Sequence, residues 1–307
     1  MDIKQLIKSN RESIKDSSLK AYLISLKKLN NDQEIENLNF LKNKKEVYKI
    51  IEQKALSTQR GYLTSILVVL QAYKKEEFDS VLKDYKEKLQ TLNNKYNEEI
   101  SSHEKTDKQA KNWVSLKQLA KVRNFYKKEL EEKSVLTKET LNRKEHDLLQ
   151  KYLVSALYTL QPPIRLDYGN MKVITSDKDD NKKHNFLLVK GRNKKSFIFN
   201  DFKNKKSMGS KTIPVNTKLN SVINIWLKHN KTGNFLLNSK NEIMVENGLS
   251  KYIKKVFAPT KKDITLNLLR HIYISENIDL DAMKKQKKLA ENMLHSSDQQ
   301  IDYAKID

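Results

Sequence analysis

The chain has 307 residues, no cysteine, and 60 Lys and Arg against 38 Asp and Glu, for a formal net charge of +22. That length exceeds a usual single domain, so two domains are expected, each able to bury a core. The lack of cysteine excludes disulfides, thiolate nucleophiles and Cys-based zinc sites together, and leaves a reducing intracellular setting as the default.

So large a cationic surplus points to a polyanionic partner, with nucleic acid first. The competing explanation is a lysine-rich composition in which Lys replaces other solvated residues. The opening MDIKQLIKSN is charged where a signal peptide is apolar, and ILVVL at 66–70 is too short to span a bilayer. No stretch combines a cationic helical face with a broad apolar one, so a soluble protein without a membrane partner is expected.

Residues 17–29 place Leu19, Tyr22, Leu23, Leu26 and Leu29 on one helical face, with Ser17 or Ser18 as N-cap. A second helix is expected over 38–53. A third, over 57–73, aligns Tyr62, Ile66, Val69, Leu70 and Tyr73. From Phe78 the apolar positions Leu82, Tyr85, Leu89, Leu92, Tyr96 and Ile100 follow in steps of four and three. This heptad-like stripe predicts one long helix, lying either against its own domain or at an inter-domain or inter-protomer contact. The segment 101–112 is polar apart from Ala110, which places a domain boundary there and divides 1–105 from 106–307.

Helices are expected over 115–133 and 143–160, the second ended by Pro162-Pro163. The pattern then turns to short β-prone runs at 171–175, 185–191, 195–202 and 211–215, with a basic loop, FKNKKSMGSK, among them. Helices return over 217–229, 246–257, 264–277 and 280–294. The fold class is mainly α with a small antiparallel β-sheet (α+β): an N-terminal helical domain and a larger second domain.

The chain has no GxxxxGK[ST], HExxH or EF-hand pattern, and no cluster of Asp and Glu stands out for Mg²⁺. A covalent route to phosphodiester chemistry needs only a Tyr hydroxyl to attack phosphorus and cations to stabilise the charge on the nonbridging oxygens. Arg suits the second task, because its planar guanidinium bonds two phosphate oxygens at once and stays protonated.

The pieces PPIRLDYGNM, NLLRHIYIS and MLHSSDQQIDY, in this order after a helical domain, resemble the boxes of the tyrosine recombinase (phage-type integrase) family. The basic style and the QAKNW segment at 109–113 look closest to integrases of virophages and related large DNA viruses. SLKAYLISLKKL and STQRGYLTSILVVLQAY are similar to that family's helical core-binding domain, of SAM-like fold. The resemblance covers nearly the whole chain. It implies a core-binding domain over 1–105 and a catalytic domain over 106–307, closing around double-stranded DNA as a clamp, with homotetramers at synapsis. It further implies a 3′-phosphotyrosyl intermediate with no metal or nucleotide cofactor, and a location with DNA in a viral factory, host nucleus or cytoplasm.

Carried over by motif, Arg165 and Arg270 clamp the scissile phosphate and Lys206 is the hairpin general acid, with Lys203, Lys205 and Lys211 as alternatives. His295 bonds a nonbridging oxygen and Tyr303, eight positions on, is the nucleophile. Three positions depart from the family. Asn267 stands where most members have His, so it can bind phosphate but cannot act as a base near neutral pH. Proton removal from Tyr303 then falls to water, His271 or the phosphate. Leu294 replaces the usual Gly, and Asp167 follows Arg165 by two positions where an acidic residue commonly stands at three. A type IB topoisomerase-like nicking-closing enzyme and a catalytically inactive DNA-binding derivative are the alternatives.

Overall fold

The computed structural model describes residues 2–176, 183–297, 299 and 303. It is mainly helical with a small four-stranded sheet, and it divides into two compact units, 1–105 and 106–307.

The first unit consists of α1 (Ile3–Asn10), α2 (Asp16–Leu29), α3 (Lys44–Glu52), α4 (Leu56–Tyr73) and α5 (Asp79–Ser101). Its centre is α4, which buries Leu63, Ile66, Val69 and Leu70. The helix expected over 38–53 is broken at Asn43. A 3₁₀ turn over Asn39–Lys42 precedes it, and the Asn43 side chain then caps α3 by accepting from the Glu46 amide. The heptad-like stripe lies on this unit's own core: Phe78, Tyr85 and Leu92 are buried at seven-residue intervals. The Tyr85 hydroxyl donates to the Leu41 carbonyl at 2.8 Å, and the Arg60 guanidinium sits 3.8 Å over the Tyr96 ring. Ile100, at the far end, is exposed.

The second unit begins with α6 (Asp107–Asn112), α7 (Leu116–Glu132) and α8 (Arg143–Leu157). Reciprocal capping boxes start all three: Thr106 with Gln109, Ser115 with Gln118, and Asn142 with Glu145. The last two turns of α8 are buried nearly all round, as a helix at the middle of a core must be. There follow β1 (Lys172–Ile174), β2 (Phe186–Gly191), β3 (Lys194–Phe199), α9 (Lys205–Met208) and β4 (Lys211–Pro214). Helices α10 (Thr217–His229), α11 (Glu246–Val256), α12 (Leu266–Asn277) and α13 (Leu280–Asn292) complete the unit. Trp226 of α10 is fully buried, with its indole N–H donating to the Phe235 carbonyl at 2.8 Å.

The sheet has the order β1-β2-β3-β4 and is mixed rather than wholly antiparallel. β2, β3 and β4 pair antiparallel, but β1 runs parallel to β2, with Lys172 opposite Phe186 and Ile174 opposite Leu188. Hydrophobic alternation along a strand fixes which face is buried and leaves pairing direction open. Here the other side of β1 is taken by the 233–235 segment, through Val173 N–H to the Gly233 carbonyl and Phe235 N–H to the Met171 carbonyl, both at 2.8 Å. Among the described residues no helix is long and apolar enough to cross a membrane.

Candidate active site

Two stretches remote in sequence meet beside the sheet. The first is the turn after α8. Helix α8 ends at Leu157, three residues short of the expected end, and past Pro162-Pro163 the chain doubles back so that the Leu166 carbonyl accepts from the Gly169 amide at 2.7 Å. Gly169 is required by close approach: a Cβ there would stand 2.8 Å from the Glu246 amide nitrogen at the start of α11. Asn170 follows in the left-handed region at φ 56° and donates to the Met244 carbonyl. The turn is held from within as well. The fully buried Tyr158 donates to the Arg165 carbonyl at 3.2 Å, and Gln161 donates to the Tyr168 hydroxyl.

The second stretch is α12, capped by Thr265, whose hydroxyl accepts from the Leu268 amide. It buries Leu266, Leu268, Leu269 and Ile272, leaving Arg270, Tyr273 and Ile274 on an adjacent stripe. That stripe and the proline turn line a cleft of about 370 Å³, with Phe199, Phe202, Met208, Lys211 and Ile213 from the sheet side. Arg270 donates to the Pro163 carbonyl at 3.0 Å, which ties the two stretches directly.

Electrostatically the cleft is cationic, with Arg165, Arg270 and Lys211 against Asp167. Burial, and then the charge of Arg165, push Arg270 below the ordinary guanidinium value, while Asp167 opposes the shift. Asp167 moves the other way. Burial, followed by the charge of Glu246, raises its carboxyl above the usual 3.8. Each shift disfavours the charged form; a bound phosphate would offset the penalty on Arg270, whereas on Asp167 it would add to the repulsion from Glu246.

Arg165 and Arg270 are therefore brought together. Lys206 is not placed with them: it is exposed on α9, in the connection between β3 and β4, and does not line the cleft. Of the four hairpin lysines considered from the sequence, Lys211 is the one that does. A signal for it was present, since Lys211 and Ile213 alternate on one face of β4 and both line the cleft. Asn267, one turn before Arg270, opens instead on a second cleft of about 220 Å³ with Asp263, His271, Gln109 and Asn112.

His295 and Tyr303 stand near each other, with ring centroids 5.7 Å apart and planes nearly perpendicular, but neither lines the arginine cleft. The turn before His295 forms without glycine. Leu294 takes φ 59°, the His295 amide donates to the Ala290 carbonyl, and the Leu294 amide donates to the Glu291 carbonyl. This pair of bonds is a Schellman cap on α13, with Leu at the position that glycine usually holds. Just beyond it Ser296 and Gln299 exchange side-chain-to-amide bonds, both at 3.2 Å. Both ring nitrogens of His295 are shielded from solvent and have no hydrogen-bond partner among the described residues. Tyr303 is exposed. Residues 298, 300–302 and 304–307 lie outside the described residues.

Two polar anchors escaped the sequence reading. Asn185, buried before β2, donates to the carbonyls of Asp167 and Asp201 and accepts from the amides of Asn200 and Asp201. It thereby joins the arginine turn to the end of β3. Lys195, 4% exposed, donates to the side-chain oxygens of Asn220 and Asn224 and to the carbonyl of Arg192, binding the β2–β3 turn to α10. Its signal was the two-residue period of β3, which puts Lys195 on the same face as Phe197 and Phe199.

No protein-family model matches the chain, and no curated protein is detectably similar to it.

Proposed function

We propose that this protein is a site-specific DNA recombinase or integrase that cuts and rejoins strands through a 3′-phosphotyrosyl intermediate formed by Tyr303. The observation that carries the reading is the convergence of Arg165 and Arg270 on one cleft, from boxes more than a hundred residues apart. Two guanidiniums beside a partly desolvated wall suit a phosphodiester whose nonbridging oxygens gain charge on attack. The imidazole of His295, shielded and without a hydrogen-bond partner among the described residues, gains from donating an N–H to such an oxygen. The +22 charge supplies long-range attraction to double-stranded DNA. Lys211 takes over from Lys206 as the preferred general acid, because it lines the cleft. Synapsis by four protomers and a location with DNA belong to the same proposal.

In this scheme the Tyr303 hydroxyl passes its proton to water or to the phosphate, and its oxygen forms a bond to phosphorus as the bond to the 5′-oxygen breaks. The leaving oxygen takes a proton from the general acid. Attack by a partner strand's 5′-hydroxyl then releases the tyrosine, so the phosphodiester energy is conserved.

A second reading, a DNA-binding derivative that no longer cleaves, is favoured by one feature: Tyr303 and Asn267 both stand outside the arginine cleft. Incubating the full chain with a random-sequence duplex pool nicked at one position separates the two. A covalent protein–DNA adduct that survives denaturant and disappears in Tyr303→Phe is expected. Arg270→Ala should reduce its rate of formation by about 10²–10³, the cost of removing one charge-stabilising donor. No adduct with any duplex in the pool leaves only the binding reading. Relaxation of supercoiled plasmid without a preferred site points to a topoisomerase-like enzyme instead.

A further inference from the structure

The cleft holding the arginines is walled mainly by apolar side chains, which a phosphate does not need. Pro162, Pro163, Phe202, Tyr273, Ile274 and Ile213 line it together with the cations. Phe202 and Tyr273 are half-buried, and among the described residues neither packs against another aromatic ring, whereas Phe199 behind them sits against Tyr168 and Phe197. At about 370 Å³ the cleft falls in the range of small-ligand pockets. Its ligand should therefore combine negative charge with a flat apolar body. A nucleotide has that form, with phosphate for Arg165 and Arg270, and base for the proline and aromatic wall.

Within a duplex, stacked bases cannot reach a cleft that also grips their phosphate. We propose that this cleft receives a single nucleobase unstacked from the duplex next to the phosphate held by Arg165 and Arg270. The inference rests on the strand-exchange reading and deepens it. Unstacking costs a few kcal/mol in an intact duplex and least where the base has no partner. Stacking against Phe202 and Tyr273 repays part of that cost, since aromatic side chains accept any base through its π-face. Asp167, on the same wall, adds a polar edge beside the base.

The test uses the full chain and three duplexes of one sequence: fully paired, with one unpaired adenine, and with an abasic residue in place of that adenine. The last two share backbone flexibility and charge and differ only in the base. Fluorescence anisotropy should show the unpaired-adenine duplex bound about tenfold tighter than the abasic one, the size of one stacking contact. Phe202→Ala, and separately the volume-conserving Tyr273→Leu, should bring that ratio toward one, and Arg270→Ala should weaken binding to all three. With 2-aminopurine as the unpaired base, its fluorescence should fall on binding to the wild-type chain. Equal affinity for the adenine and abasic duplexes overturns the base pocket and leaves the strand-cleavage reading to its own adduct test. Failure to bind any of the three overturns both.

Discussion

Arg165 and Arg270 are fastened by partly buried hydrogen bonds, from Tyr158 and Asn185 at the turn and from the Arg270 side chain to Pro163. His295 and Tyr303, in the same unit, follow a helix that buries one residue, Ala290, out of thirteen. Met283, Leu289 and Met293 on and beside that helix are exposed. Burial of apolar surface is the main source of positional stability, at about 25 cal/mol per Å² removed from water. The arginine half of the proposed site is thus built into the fold, while among the described residues the half carrying imidazole and phenol has less apolar burial to fix it.

The sharpest way to break this comparison is to damage the anchored half. Asn185→Ala removes the partners of two carbonyls and two amides in a buried place. Each unsatisfied buried group costs about 1–3 kcal/mol. Urea unfolding should therefore show a loss of at least about 2 kcal/mol. Met293→Ala, from the other half, should stay within about 0.5 kcal/mol of wild type, as surface changes do. Equal losses from the two changes would mean that the halves are anchored alike.

Asp167→Asn probes the electrostatic side of the same contrast, with a smaller effect. In the folded chain burial, and then Glu246, hold the Asp167 carboxyl above its ordinary 3.8. The folded state keeps that proton to higher pH than the unfolded chain does. The stability it confers is full below 3.8 and is lost as pH rises through the elevated folded value. Asparagine is neutral throughout. The variant should melt above wild type at neutral pH, with the gap closing on acidification into the carboxylate range. Thermal melts at stepped pH give the answer, and a gap that does not change with pH would remove Asp167 as a source of stored strain in the cleft.

Much of this architecture was legible in the sequence because it is written in short-range periodicity. The Phe78–Ile100 stripe, the four β-prone runs and the helix over 217–229 all follow from spacing of apolar residues and from turn chemistry. What was not legible depends on pairing between distant segments. The direction of β1 is fixed by β2 and by the 233–235 segment, neither of which marks itself in the sequence as the partner. Asn185 and Lys195 look like solvated polar residues until their acceptors on Asp167, Asn220 and Asn224 are brought to them. At the site the resemblance pointed to both arginines, which share a cleft. It also pointed to Lys206, which is exposed and does not line that cleft, and to Asn267, which lines a second one. A residue count along a loop cannot determine which of several lysines borders a cleft built by distant segments; here it is Lys211.

The smallest effect concerns Leu294, and it tests the loosely held half directly. A non-glycine residue in the left-handed region costs about 1–2 kcal/mol, and here it is Leu294 at φ 59°. The side chain is 95% exposed, so no packing offsets that cost. Glycine would relieve it, less about 0.4–1 kcal/mol for the greater freedom of the unfolded chain. The net gain for Leu294→Gly is about 0.5–1 kcal/mol, confined to the Schellman turn. Its local reporter is the His295 amide, which donates to Ala290 at 3.1 Å. Hydrogen exchange at that amide should slow by about two- to fivefold, the same free energy expressed as a ratio. Amides of α12 should not change. Slower exchange at both places would show the turn coupled to the arginine helix before any DNA is bound, and the division of the site into a fixed half and a free half would then fail. Unchanged or faster exchange at His295 would show that Leu294 carries no strain.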